Sequence, residues 1–95
     1  MSNKDLYIQK VQAQVDEWKA ELDKLKAKAS GASADAQLEM NGTIKELEGK
    51  IAESSSKIEE LKAAGEEAWE NLKASAESTF QSVSSTISDK LPKFR

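Results

Sequence analysis

The sequence predicts an all-α protein, an antiparallel helical hairpin followed by a C-terminal amphipathic helix that either extends the second helix or folds back as a third. Three observations predict it. Apolar residues recur at spacings of three and four along most of the chain, the period of one helix face. Ala, Glu, Lys, Leu and Ser dominate, with only four Gly and one Pro in 95 residues, the balance of long solvent-bathed helices. The strongest helix-stopping cluster, Ser30-Gly31-Ala32-Ser33-Ala34-Asp35, falls where a hairpin turn would divide two heptad stretches. At this length the chain is read as a single helical unit, residues 1–95, with no room for a second domain.

The first helix is expected over residues 2–29. Ile8, Val11, Val15, Trp18, Leu22, Leu25 and Ala29 follow one another at 3-4-3-4-3-4, an unbroken heptad seam narrower than the face of an ordinary globular helix. Its 28 residues would span about 42 Å. Gly31 is placed to end this helix in a left-handed cap, and Ser33 to accept from the first amides of the next. A rival turn stands at Asn41-Gly42, where Thr43 and Glu46 have capping-box spacing. The earlier turn is preferred.

The second helix, residues 34–62, carries Met40, Ile44, Leu47, Ile51, Ser54, Ile58 and Leu61 on one face. Folded back, it would pair Ala29 with Ala36, Trp18 with Leu47 and Ile8 with Ile58. Glu46–Lys50 and Glu53–Lys57 are i,i+4 pairs in the favourable order. Gly42, Gly49 and Gly65 would each cost about 1 kcal/mol if helical.

From Ile58 the period changes. Ile58, Leu61, Gly65, then Trp69, Leu72, Ala76, then Phe80, Val83, Ile87, then Leu91 and Phe94 follow a 3-4-4 repeat of eleven residues, which keeps an apolar stripe almost parallel to the helix axis. The third segment is expected over 66–91, stopped by Pro92 and followed by a tail at 92–95. Between Ser75 and Ser88, eight of fourteen residues are Ser or Thr. Hydroxyl side chains compete for backbone hydrogen bonds, so this helix needs a partner to form. By Leu61 the first helix is used up, which leaves Trp69, Phe80 and Ile87 as a face waiting for cover, with a second copy of the chain the preferred occupant.

The chain has neither cysteine nor histidine, which removes disulfides, thiolate nucleophiles, imidazole acid/base chemistry and the commoner zinc sites. The adjacent carboxylates Asp16-Glu17, Glu59-Glu60 and Glu66-Glu67 point in different directions on a helix and read as solvated faces. The glycines form no phosphate-cradling motif. Trp18, Trp69, Phe80 and Phe94 all lie on the apolar stripe and read as packing residues, with Tyr7 closing the end of the hairpin. Neither a cofactor nor a small-molecule substrate is expected, and the chain is read as not an enzyme.

The net charge is −3, with the signs interleaved along the sequence and no basic stripe of the kind nucleic acid requires. Nucleic acid is not an expected partner. The start, Met1-Ser2-Asn3-Lys4-Asp5, lacks the apolar run of a signal peptide and no stretch approaches a membrane span, so the expected location is the cytoplasm. The one local excess of positive charge is Lys90, Lys93 and Arg95.

Three blocks carry a resemblance: Tyr7-Ile8-Gln9-Lys10, the run Gln14-Val15-Asp16-Glu17-Trp18-Lys19-Ala20-Glu21-Leu22-Asp23-Lys24-Leu25, and Ala68-Trp69-Glu70-Asn71-Leu72-Lys73. Through them the chain resembles a group of small, mostly uncharacterised bacterial coiled-coil proteins labelled stress-response proteins. The resemblance implies a bacterial, cytoplasmic, non-enzymatic protein and supplies no functional residues. Separately, the eleven-residue period of the C-terminal third is similar to the lipid-surface repeats of apolipoproteins, perilipins and some desiccation-protection proteins.

Two functions are therefore expected in competition. The first is a structural or interaction protein that forms a homo-oligomer through coiled-coil contacts. Ile8, Val11, Val15, Trp18, Leu22, Leu25, Ile44, Leu47, Ile51, Ile58 and Leu61 would hold the hairpin, and Trp69, Leu72, Phe80, Val83, Ile87, Leu91 and Phe94 the partner. The alternative is a peripheral membrane protein whose segment 66–95 folds on lipid, with its hydroxyl face outward.

Overall fold

A computed structural model describes residues 2–94; Met1 and Arg95, the latter expected in the basic tail, lie outside the described residues. The chain is all-α, in the order α1 (Asn3–Ser30), α2 (Ala34–Ala63), α3 (Trp69–Lys90) and a closing 3-10 turn, Leu91–Phe94. The three helices lie side by side in an elongated bundle of 51 × 20 × 18 Å.

Local chemistry explains each boundary. Ser2 starts α1 by accepting the amide of Asp5 at 3.2 Å, and Asp5 and Lys28 place opposite charges at the two ends of the helix dipole. The turn falls at residues 31–33, where Ser33 accepts the Ala36 amide at 3.4 Å. Gly31 does not adopt the left-handed cap expected of it. Its φ of −98° and ψ of 4° let its amide bond back to Ala29 and Lys28, closing the last turn without a positive φ. Asn41 and Gly42 lie inside α2 and form no turn. Thr43 is buried in the bundle and does not cap a helix start, because its position falls beside Met40, Ile44 and Leu47 on the packed face.

At the far end, Ala64 takes an extended conformation (φ −74°, ψ 143°) and residues 64–68 reverse the chain. Lys4, at the start of α1, reaches across to donate to the carbonyls of Lys62 at 3.2 Å and of Ala64. These are orphan carbonyls at a helix end, where a cation is favoured. The reversal sends α3 back along α2, so the third segment folds back and does not extend the second helix. Pro92 lacks the amide needed to continue i→i−4 bonding, and the α-helix ends two residues earlier at Lys90.

Candidate interaction surface

The two groups of apolar residues that the sequence separates into a hairpin seam and a partner face meet in one core. Val11, Val15, Trp18, Leu22 and Leu25 of α1 and Ile44, Leu47, Ile51, Ile58 and Leu61 of α2 are buried, with Ile8 half-buried at the end. Trp69, Phe80, Val83 and Leu91 are buried against the same cluster, and Leu72, Ile87 and Phe94 pack on it while keeping part of their surface in solvent. The stripe expected to stand exposed for a second copy is thus covered within the chain; Trp69 is 6% and Phe80 5% exposed. The reversal at 64–68 is the cause. It returns α3 along α2, so a stripe beyond the reach of α1 in an extended chain lies on the hairpin in the folded one. Fully burying one such side chain is worth about 1.5–3 kcal/mol, which makes this stripe the main tie between α3 and the rest.

Polar contacts line the α2–α3 edge. Lys57 Nζ donates to Ser75 Oγ at 3.3 Å and Lys50 Nζ to Ser82 Oγ at 3.2 Å. Lys90 pairs with Glu46 at 3.1 Å and Lys93 with Glu39 at 2.7 Å, and on the α1 side Lys28 Nζ donates to the Phe94 carbonyl. The groups of the two ion pairs are solvent-exposed, so each pair contributes under about 1 kcal/mol. They set register more than strength. The hydroxyl-rich stretch is accordingly divided in its roles. Ser75 and Ser82 accept from α2, and Thr79 and Thr86 bond back to the carbonyls four residues earlier, at 3.4 and 2.9 Å. Ser78, Ser84, Ser85 and Ser88 face solvent.

The α1–α3 side is more open. A groove of about 220 Å³ runs between the two helices, with Tyr7, Val11 and Phe80 in its wall and Lys10, Gln14, Glu77, Gln81 and Ser84 around it. Near its end the Tyr7 ring leans on Trp69, centroids 6.1 Å apart and planes at 40°, and Lys73 Nζ stands 5.0 Å from the Tyr7 ring centre and 5.7 Å from that of Trp69. Tyr7 therefore docks α3 and does more than close the hairpin. Its hydroxyl oxygen is buried and makes no hydrogen bond of ordinary geometry. Burial pushes its pKa well above the tyrosine range, and the negative charge of Glu77 pushes it further the same way.

Sequence reasoning missed this cluster because 62 positions separate Tyr7 from Trp69 and no local pattern couples them. It also missed the burial of Thr43, read as a capping residue, whereas Ser54 and Ala76, placed on the α2 and α3 stripes, are buried. The apolar residues so assembled pack as one core, and the groove beside them is lined by Lys10, Glu77 and Tyr7. No helix of the described chain is long and apolar enough to cross a membrane. Compared with family models, curated proteins and solved structures, the chain matches none.

Proposed function

We propose that this chain is a cytoplasmic, non-enzymatic structural and interaction protein that self-assembles through helix contacts. The observation that supports the reading best is the construction of α3. It is a separate layer that runs mainly along α2, with its side-chain register pairs made to α2, while its α1 side is a partly open groove bridged at Tyr7–Trp69 and Lys28–Phe94. Such a layer can be held by a hairpin from its own chain or from another. The resemblance to stress-response-type coiled-coil proteins points the same way and names no activity. Light scattering across a hundredfold range of concentration tests the reading. A mass that rises to two or more chains is expected, and a single-chain mass throughout refutes it.

A second reading, peripheral membrane binding through segment 66–95, has one observation in its favour. From Ser78 to Ser88 the third helix carries no charged residue, yet it is apolar on one side and hydroxyl-rich on the other, as helices that enter poorly packed lipid require. Flotation with vesicles separates the two. Binding that disappears in Phe80→Glu, with no change in solution mass, would replace assembly with membrane contact.

A further inference from the structure

We propose that self-assembly proceeds by exchange of the third helix between two copies of this chain: residues 64–68 straighten, α2 and α3 become one continuous helix, and each α3 lies on the hairpin of the other copy. The proposal rests on the self-assembly reading and specifies its route. Three observations carry it.

The first is phase. Ile58, Leu61, Gly65, Trp69, Leu72 and Ala76 keep 3-4-4-3-4 spacing straight through the bend, and Ile51 lies eighteen residues, about five full turns, before Trp69. A single helix would carry both stripes on one side, so straightening exposes one continuous apolar face. Local bonding within the bend is made by the Gly65 carbonyl, which accepts from the Ala68 and Trp69 amides at 3.1 Å each.

The second is the bend's composition. Ala64, Gly65, Glu66, Glu67 and Ala68 include no proline, and no residue in the described chain has a positive φ. Helix α3 starts at Trp69 with no side chain at its N-cap, Ala68, to receive its amides, of which only that of Trp69 is taken up by the Gly65 carbonyl, and the carbonyls at the end of α2 are held by Lys4. In a continuous helix the amides of the first group satisfy the carbonyls of the second. Lys4 is thereby a clamp specific to the closed form.

The third is register. The contacts Lys57–Ser75, Lys50–Ser82 and Glu39–Lys93 are all centred on residue 66, inside the bend. Two long helices laid antiparallel about a two-fold axis at residue 66 reproduce each pair between chains. Glu46–Lys90, centred on residue 68, lies one helical turn out of this register, so the exchanged dimer restores three of these four side-chain contacts directly, a condition that favours swapping.

Gly65 makes the test clean. A Cβ there would meet nothing within 4 Å, so Gly65→Ala fits the closed form and favours the continuous helix. Gly65→Pro forbids that helix, while Ala64 already has the extended conformation required before proline and the Gly65 amide is not among the donors of the turn. Light scattering and circular dichroism of both variants and the parent are expected to show folded protein throughout. The dimer should be tightened about 30-fold in Gly65→Ala, the propensity gain acting in both chains, and lost in Gly65→Pro. A direct readout uses Lys57→Cys with Ser75→Cys, in a chain otherwise free of cysteine, and a short bis-maleimide. Links between chains in the dimer fraction are expected. A dimer that persists in Gly65→Pro, or whose links all lie within single chains, overturns exchange and leaves self-assembly standing. Single-chain mass in the parent and in Gly65→Ala at every concentration overturns both.

Discussion

Ser54 offers the sharpest test of the packing described here. Its side chain is fully buried between the apolar faces of the bundle, and its hydroxyl has no hydrogen-bond partner. Thr79 and Thr86 show the ordinary escape, each donating to the carbonyl four residues back; Ser54 does not take it. A buried hydroxyl stripped of water and left unpaired costs about 1–3 kcal/mol, and serine is also about 0.5 kcal/mol poorer than alanine in a helix interior. Ser54→Ala deletes one oxygen, so the void it leaves is smaller than a methyl group. The expected outcome is stabilisation by about 1–2 kcal/mol, or roughly 4–15 °C in Tm for a domain this small. Urea and thermal melts followed at 222 nm measure it, in a variant first confirmed to have the parent's solution mass. A loss of stability would show that the hydroxyl is paired and would refute the account of this layer of the core.

Three further outcomes follow from the same structure. Phe80→Ala, which empties a site 5% exposed at the junction of all three helices, should cost about 3–5 kcal/mol in a urea melt. Gly49→Ala, inside α2 with nothing within 4 Å of the added Cβ, should stabilise by about 1 kcal/mol in the same assay. Tyr7 gives a pH dependence whose sign is fixed. Its folded pKa is raised, so above pH 10.0, the unfolded value, the unfolded chain loses the proton while the folded chain keeps it, and stability falls as pH rises. Urea melts at pH 8 and pH 10.5 should show that fall in the parent and less of it in Tyr7→Phe.

The parts of this fold that were legible in the sequence are those decided within a few turns of helix. The α1 seam from Val11 to Leu25 is heptad-spaced and packs as such. The turn at 31–33 was readable because Ser33 caps α2 on its own. Asn41-Gly42, the turn not preferred, lies inside α2, since turn residues can be carried in a helix when the flanking Met40, Ile44 and Leu47 are buried and tertiary burial outweighs a propensity cost of about 1 kcal/mol. The direction of α3 was not legible. A stripe in phase across Gly65 is the same sequence whether the chain bends or runs straight, and what favours the bend is distributed over long-range contacts. Lys4 on the α2 carbonyls and Tyr7 on Trp69 join positions some 60 residues apart.

That ambiguity is itself physical. The outer face of α3 is built from hydroxyl residues that form helix poorly, so the helix depends on whatever covers Trp69, Phe80 and Val83. In the closed form the cover is the hairpin of the same chain, reached without a loss of translational freedom. In an exchanged dimer it is the same surface on another chain, reached at that entropic cost but with residues 64–68 added to a continuous helix. The apolar burial is equal in the two forms and cancels. What remains to decide between them is concentration, the helix propensity of five residues and the Lys4 clamp, each small beside the burial that folds the chain. Substitutions in the core should therefore change stability while leaving the distribution between forms nearly untouched, and substitutions at Gly65 should do the opposite.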